Sequence, residues 1–392
     1  MENNSNNKYF VIFGGGGIRG IAYAGAQKAL EENNIEITGY AGSSIGAVYA
    51  SLAAVGYNYK EIFDILSSAG IDIFKDINIG FKKEIGFSKG NVFLEWIREK
   101  IEQKFYGEKY QKNKMEPVKF SDIKKNLVIY TVDLSNMCSC EFSSFQTPDF
   151  EIAMATRASV SMPGLFLPLE INKSLYVDGD LLKSAPLWRL CKSTTNLNER
   201  IIEFRLEDSA KPKLDNSIDY INAVYNAICS FATDYIIDLY KGKDKFDYIK
   251  INTPNISVVD FLIPHEKKQE LYDIGYKTTD EYFKTTFIEK RKILKQKYKK
   301  LLEHILKFQK EFLKANMINS YLCLCETFLY LCEEKQYLDS ALYARLCDFK
   351  NRYFANYQAH SFLGFKSASI ENKNELAQEI LDIIKELCAK IK

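Results

Sequence analysis

The sequence predicts an α/β protein, with three layers built on a doubly wound, mostly parallel sheet, followed by an α-helical C-terminal region. In the first half of the chain, short apolar runs typical of buried strands alternate with helix-like segments. After about residue 285 the strand-like runs stop, and apolar residues recur at helical spacings of three and four. We therefore expect a sheet domain at residues 1–285 and a helical module at residues 286–392.

Individual elements follow from the same patterns. Strands are expected at 9–13, 35–41, 127–132, 201–206 and 248–251. Helices are expected at 21–31, after Gly46, and from Ile218 to Leu239. The last of these either packs on the sheet or acts as a lid or a membrane-facing helix, and the sequence leaves both interpretations open. The C-terminal module contains a predicted helical seam formed by Leu294, Tyr298, Leu301, Ile305, Phe308 and Phe312. Further helices are expected from 317 to 392, with a break near Gly364.

The composition excludes several classes of protein. A formal net charge of +2 over 392 residues gives no overall attraction to nucleic acid. Nine scattered cysteines and three histidines show no zinc-site spacing, which predicts reduced thiols and no bound metal. The polar N-terminus does not resemble a signal peptide, and no apolar run is long enough to span a bilayer.

The segment Gly42-Ser43-Ser44-Ile45-Gly46 has the pattern G-x-S-x-G between a predicted strand and a predicted helix. This is the context of a nucleophile elbow, in which a tight turn flanked by glycines holds a serine oxygen clear of the sheet. The pattern predicts that Ser44 is an acylated nucleophile.

A glycine-rich segment, Gly14 to Gly20, follows the first predicted strand and opens the first predicted helix. Its G-x-G-x-x-G spacing also matches a dinucleotide fingerprint, which requires a carboxylate at the end of the second strand. The end of that strand carries no carboxylate, and Glu36 lies at its start, which is the wrong end. We therefore expect backbone N–H groups that stabilise an oxyanion beside Ser44, and no bound cofactor.

Two residues are candidates for the base that activates Ser44. His265 lies after the last predicted strand, where a Ser-His-Asp hydrolase would place its histidine. Asp178 lies between an apolar strand and Gly179, and it would accept the serine proton directly. An Asp-Gly pair is also a common turn, so the residues alone leave both candidates open.

Four segments together resemble the patatin-like phospholipase family, in the bacterial form that has a helical C-terminal extension. The family motifs D-G-G-G-x-[KR]-G, G-x-S-x-G and D-G-[GA] correspond to 14–20, 42–46 and 178–180, and residues 155–168 resemble the small-residue stretch before the acid. The fold implied is patatin-like. The activity implied is hydrolysis of fatty acyl esters of phospholipids or lysophospholipids, without a histidine, a metal or a cofactor.

The resemblance also assigns roles to residues. It implies that Ser44 is the nucleophile and Asp178 the base of a Ser-Asp dyad. The oxyanion N–H groups would come from Gly15, Gly16 and Gly17, with Arg19 supporting that loop.

Two residues depart from the family motifs. Gly14 replaces the acidic residue that often opens the first motif, and Asp180 stands where glycine or alanine is usual. A second carboxylate near Asp178 would raise the pKa of that residue, hold a cation or reduce activity.

The predicted seam helix is strongly basic, with ten basic and three acidic residues from Glu289 to Lys314. These residues form a solvated outer face of a helical bundle, or they dock on anionic lipid headgroups. A protein or small-molecule activator that binds residues 286–392 is a third interpretation.

The layout resembles that of several bacterial patatin-like toxins. It implies a cytoplasmic protein that associates peripherally with membranes, or an effector delivered into a host cell without a cleavable signal peptide. The main alternative to a hydrolase is a lipase-fold binding module with low activity, and acyl transfer to a small acceptor is a further one.

Overall fold

The computed structural model describes most of the chain. Described are residues 8–74, 76, 88–182, 200–207, 245–253, 262–314, 317–335, 337–362 and 373–391, with single positions between 220 and 260. The chain forms two compact units, residues 1–239 with 246–283, and residues 240–245 with 284–392. The helix expected from Ile218 to Leu239 and the break near Gly364 lie almost entirely outside the described residues.

The first unit contains a mixed sheet of eight strands. They are β1 (Lys8–Phe13), β2 (Glu36–Gly42), β3 (Asn126–Asp133), β4 (Cys138–Ser143), β5 (Leu169–Ile171), β6 (Ser174–Asp178), β7 (Arg200–Glu207) and β8 (Phe246–Asn252). The order is β5-β6-β3-β2-β1-β7-β8, and β4 also pairs with β3. Strands β3, β2, β1, β7 and β8 run parallel, whereas β4, β5 and β6 enter by antiparallel pairing.

Six helices of this unit lie within the described ranges. They are α1 (Ala22–Glu32), α2 (Ile45–Ala54), α3 (Tyr59–Ser68), α4 (Asn91–Tyr106), α5 (Ile152–Ser159) and α6 (His265–Lys284). Short 3₁₀ turns at Gly17–Ile21 and Gly179–Leu182 follow β1 and β6. These elements confirm the α/β class, and all five predicted strands form within one or two residues of their expected ends. Helices α3 to α6 and strands β4 and β5 were not predicted.

The core of the first unit is centred on β1. Its residues from Tyr9 to Phe13 are buried, as expected for a parallel strand covered on both faces. The Phe13 ring lies 4.8 Å from the ring of Tyr23 on α1 and 4.6 Å from that of Tyr49 on α2. This packing fixes both helices against the strand that leads into the glycine-rich segment.

The second unit is helical, as predicted. It contains α7 (Thr286–Leu313), α8 (Met317–Glu334), α9 (Ser340–Phe362) and α10 (Lys373–Ile391). All six predicted seam residues of α7 are buried in one apolar cluster with residues of the other three helices. In the described part of the chain, no helix combines the length and the apolar character that crossing a bilayer requires.

Candidate active site

Ser44 sits in a sharp turn between β2 and α2. Its backbone has φ 53° and ψ −128°, a left-handed conformation that costs energy for a residue with a side chain. A Cβ on Gly42 would overlap the carbonyl of Gly46, and a Cβ on Gly46 would overlap the carbonyl of Phe13, so both flanking positions must be glycine for the turn to close. The half-buried Ser44 side chain thus stands at the N-terminus of α2, as an elbow requires.

A second serine holds the elbow in place. The backbone N–H of Ser44 donates to Ser159 Oγ at 3.0 Å, and Ser159 Oγ donates to the carbonyl of Tyr130 at 2.6 Å. Ser159 is fully buried at the end of α5. It therefore connects the elbow to β3, and the Ser44 N–H is not one of the donors left for an oxyanion.

The glycine-rich loop follows β1 at the same edge of the sheet. Gly14 N–H donates to Phe204 on β7 at 3.0 Å, and the hydroxyl of Tyr23 donates to the Gly14 carbonyl at 2.7 Å. Arg19, which is buried, donates from Nε to the Gly16 carbonyl at 3.2 Å. Gly16 has φ 148° and is the N-cap of the 3₁₀ turn, so any residue with a side chain would be strained at this position.

The loop and the elbow are neighbours. Parallel pairing places Phe13 beside Gly42, so both turns leave the sheet at the same level. A Cβ built on Gly15 would lie 3.0 Å from Ser44 Cβ. Two helical N-termini thus begin beside Ser44, and their N–H groups favour negative charge there.

Asp178 ends β6 at this edge as well. It pairs with Thr131 on β3, two residues beyond Ile129, which pairs with Gly42. The Asp178 side chain is fully buried, and its Oδ1 accepts the backbone N–H of Asp180 at 2.8 Å. Within the described residues the Ser44 hydroxyl donates no hydrogen bond to Asp178, and the dyad stays a prediction.

Asp180 is a central residue of the site. One carboxylate oxygen accepts a hydrogen bond from Ser43 Oγ, next to the predicted nucleophile. The other lies so close to Gly15 that a Cβ there would overlap it, so Asp180 touches the glycine loop. Arg205 on β7 faces Asp180, with Nη1 at 3.5 Å from Oδ1, and donates from Nε to Glu203 at 2.6 Å.

These charged groups are buried together. The Arg205, Asp180 and Glu203 side chains are 5%, 6% and 4% exposed. Burial alone would lower the pKa of Arg205, but the carboxylates of Glu203 and Asp180 hold it above its usual value. Arg205 is therefore a permanent cation beside Asp180. One expectation from the sequence was that Asp180 holds a bound cation, and in the structure a protein side chain supplies the positive charge.

Arg157 organises the backbone around Asp178. From α5 it donates to the carbonyls of Gly90 and Leu167 and to Ser161 Oγ, at 3.0, 3.1 and 2.6 Å. The Ser161 carbonyl in turn accepts the backbone N–H of Asp178 at 3.1 Å. Burial lowers the pKa of Arg157 to about 10, against an opposing effect of Asp76.

His265 lies elsewhere in the unit. It is the first residue of α6 and is exposed, and its ring meets that of Phe63 on α3 edge-on at 6.3 Å. Among the described residues it makes no hydrogen bond to Ser44 or Asp178. No group of three or more His, Cys, Asp or Glu residues in the described ranges is arranged to hold a metal.

Sequence reasoning missed the supporting residues Ser43, Ser159, Glu203 and Arg205. The first two stand in segments rich in small residues and have no distinctive spacing. The last two did give a signal, because opposite charges two apart in an otherwise apolar strand share one face. Charged residues are rarely buried unless they are paired with an opposite charge.

Comparison with known proteins places a family domain on this unit. Residues 11–190 match the family model described as patatin-like phospholipase. The matched range contains the glycine loop, the elbow, Ser159, Asp178 and Asp180, whereas Glu203 and Arg205 lie beyond it.

Several proteins are similar to the chain. An uncharacterized protein of Acanthamoeba polyphaga mimivirus is 27% identical over 72% of this chain and 97% of its own length. A probable lipid hydrolase of Invertebrate iridescent virus 6 is 25% identical over 46% of this chain and 63% of its own length. The crystal structure of VipD from Legionella pneumophila aligns with a TM-score of 0.46 and 16% identity, covering 99% of this chain and 92% of that one.

Proposed function

Residues 11–190 form a domain of the patatin-like phospholipase family, and we propose that this chain is a lipid acyl hydrolase of the phospholipase A or lysophospholipase type. The observation that carries the proposal is the left-handed Ser44 elbow beside a glycine loop at one edge of the sheet. This arrangement suits attack on an ester carbonyl and stabilisation of the resulting oxyanion.

In the proposed mechanism Ser44 Oγ attacks the acyl carbonyl as its proton passes to Asp178. The carboxylate of Asp178 is buried at the same edge, and its Oδ1 is oriented by the backbone N–H of Asp180. N–H groups of Gly15, Gly16 and Gly17 would receive the oxyanion, with Arg19 fixing the Gly16 carbonyl on the opposite side of the loop. The tetrahedral intermediate then collapses as the ester C–O bond breaks, and Asp178 gives the proton to the departing alcohol oxygen. Water attacks the acyl-serine while its proton passes to Asp178, and this proton returns to Ser44 Oγ as the fatty acid leaves.

The test is lipid-product mass spectrometry on phosphatidylcholine and lysophosphatidylcholine vesicles. We expect fatty acid release by the wild type, and loss of release in Ser44→Ala and Asp178→Asn with the fold retained. The matched control is Asp247→Asn, a buried carboxylate at the start of β8, which should keep wild-type turnover. Full activity in either of the first two variants would reject the dyad, and a large loss in His265→Ala would favour the triad instead.

We also propose that the helical module, residues 286–392, docks the enzyme on anionic membranes. On α7, Ile288, Lys292, Lys295 and Lys299 follow one another at helical spacing, and all four are exposed. Two other basic residues of α7 are paired with carboxylates of α8, Lys297 with Glu334 and Lys307 with Glu326. The proposed docking face therefore includes fewer basic residues than the ten that the sequence places between Glu289 and Lys314.

Vesicle sedimentation tests this docking. Lys292→Gln with Lys299→Gln should weaken binding to phosphatidylserine-containing vesicles, whereas the exposed pair Lys109→Gln with Lys114→Gln should not. Equal binding by both double variants would contradict the assignment. Intact vesicle binding with a Ser44 inert to fluorophosphonate probes would favour the alternative, a membrane-binding or partner-binding module with low activity.

A further inference from the structure

The glycine loop and the elbow are joined through Asp180. Ser43, which accompanies the predicted nucleophile, donates to one oxygen of Asp180, and the other oxygen touches Gly15. A single side chain thus contacts both walls of the space in which an oxyanion would form. Asp180 is 4% exposed as a residue, so water does not screen these contacts.

Arg205 also reaches the loop, at Gly14. Its Cδ and Nη1 atoms each lie 2.7 Å from the point where a Cβ on Gly14 would stand, and Nη1 is 3.5 Å from Asp180. Any side chain at position 14 would therefore start against the guanidinium. Gly14 is not among the glycines with a left-handed φ, so its backbone would accept another residue.

These contacts connect the two departures from the family motif. The motif quoted above opens with an acidic residue at the position of Gly14 and has glycine or alanine at the position of Asp180. In this chain Arg205 lies between the two positions, within reach of each. A carboxylate at either position would neutralise the same buried cation.

We propose that Asp180, Arg205 and Glu203 form a positioning network for the oxyanion loop, in which the carboxylate of Asp180 takes the place of the acidic residue missing at position 14. Asp180 is a positioning residue in this assignment, because it acts through Ser43, Gly15 and Arg205 and does not touch the reacting atoms. The assignment rests on the proposed function, since it concerns the geometry of that reaction.

The first test is Asp180→Gly, assayed by steady-state kinetics on a soluble short-chain ester and by the rate of fluorophosphonate labelling at Ser44. We expect kcat and the labelling rate to fall about 100-fold with little change in KM, the effect of misplacing reacting groups by about 1 Å. Asp180→Gly that keeps wild-type kcat would overturn the proposal.

The second test is restoration. Gly14→Asp in the Asp180→Gly background returns a carboxylate to Arg205 from the other side, and we expect it to recover at least about tenfold of the lost rate. A double variant no faster than Asp180→Gly would overturn the compensation. If Asp180→Gly fails to fold, Asp180→Asn and Ser43→Ala replace it, and wild-type labelling rates in both would overturn the proposal.

The matched control is Asp247→Asn, which also removes one buried carboxylate from an Arg–Asp pair on neighbouring strands. Its thermal stability should fall while its labelling rate per folded molecule stays at the wild-type value. Failure of the proposed function itself looks different, because wild type and Ser44→Ala would then be equally inert toward ester and probe.

Discussion

Two buried arginines, Arg200 and Arg205, lie near opposite ends of the same strand and have different surroundings. Arg200, at the start of β7, donates to the Tyr9 hydroxyl at 2.8 Å and to Asp247 at 3.0 Å. Arg205, near the end of β7, faces Asp180 and the glycine loop. Both are buried charges with carboxylate partners, but only the second lies at the carboxyl ends of the parallel strands, where ligands bind in open α/β sheets.

The partners of the two arginines differ in kind. Around Arg200 the partners are side chains, and Tyr9 and Tyr282 both donate to Asp247, at 3.0 and 2.8 Å. Burial first, and Asp247 second, raise the pKa values of both tyrosine hydroxyls well above the usual value. Arg205 pairs with Glu203 and Asp180. Asp180 in turn contacts the glycine loop and the turn beside the strained serine. We infer that the first network resists unfolding and that the second holds a shape that chemistry requires.

The largest effect is expected from Gly15→Ala. The added Cβ would overlap the Asp180 carboxylate and stand 3.0 Å from Ser44 Cβ, so loop and elbow must separate. We expect kcat to fall about 100- to 1,000-fold, as on loss of an oxyanion donor. Gly70→Ala is the control, because the nearest atom to its Cβ lies at 4.0 Å. Equal kcat values in the two variants would contradict the placement of the oxyanion site.

Next in size is the contrast between Arg205→Met and Arg200→Met. Each leaves a buried carboxylate without its cation, so each should lose about 3–5 kcal/mol of unfolding free energy. Only Arg205→Met should also reduce kcat per folded molecule, by about tenfold or more. Chemical denaturation and single-turnover kinetics measure the two quantities, and a similar kcat loss in both variants would end the distinction between the two networks.

The sequence predicted those parts of the fold that depend on neighbouring residues in the chain. The strand at 9–13 and the seam from Leu294 to Phe312 are dense apolar patterns, and they formed as predicted. The elbow at Ser44 was readable because the tight turn admits only glycine at its flanks. Such features depend on a few consecutive residues or on a single helix face.

The contacts that position the candidate site could not be predicted in this way. Asp180 follows β6 and Arg205 lies on β7, and in the sheet order three other strands stand between β6 and β7. Their contact depends on how two chain segments meet above the sheet edge, which no spacing encodes. The role of Ser159 is hidden for the same reason, since it connects Ser44 to Tyr130 across α5, β2 and β3.

A smaller effect is expected from Ser159→Ala. The Ser44 N–H would lose its partner, and the Tyr130 carbonyl would lose one hydrogen bond, which should cost about 1–3 kcal/mol of stability. Because the elbow would gain freedom, we expect fluorophosphonate labelling of Ser44 to slow by about tenfold. Unchanged labelling would mean that the glycines alone define the elbow.

The smallest effect on catalysis is expected from Tyr282→Phe. This variant removes one hydrogen bond to the buried Asp247 carboxylate and should cost about 1.5–3 kcal/mol of unfolding free energy. The value of kcat should not change, because the network lies at the strand starts. A clear drop in kcat at constant folded fraction would show that the two edges of the sheet are coupled.

The most direct measurement is to label the 392-residue chain with a fluorophosphonate and to identify the modified residue by peptide mass spectrometry. We expect the label on Ser44, no label in Ser44→Ala, strongly slowed labelling in Asp178→Asn and wild-type labelling in Asp247→Asn. Label on another residue, or equal rates in Asp178→Asn and Asp247→Asn, would contradict a nucleophile and base at the carboxyl edge of this sheet.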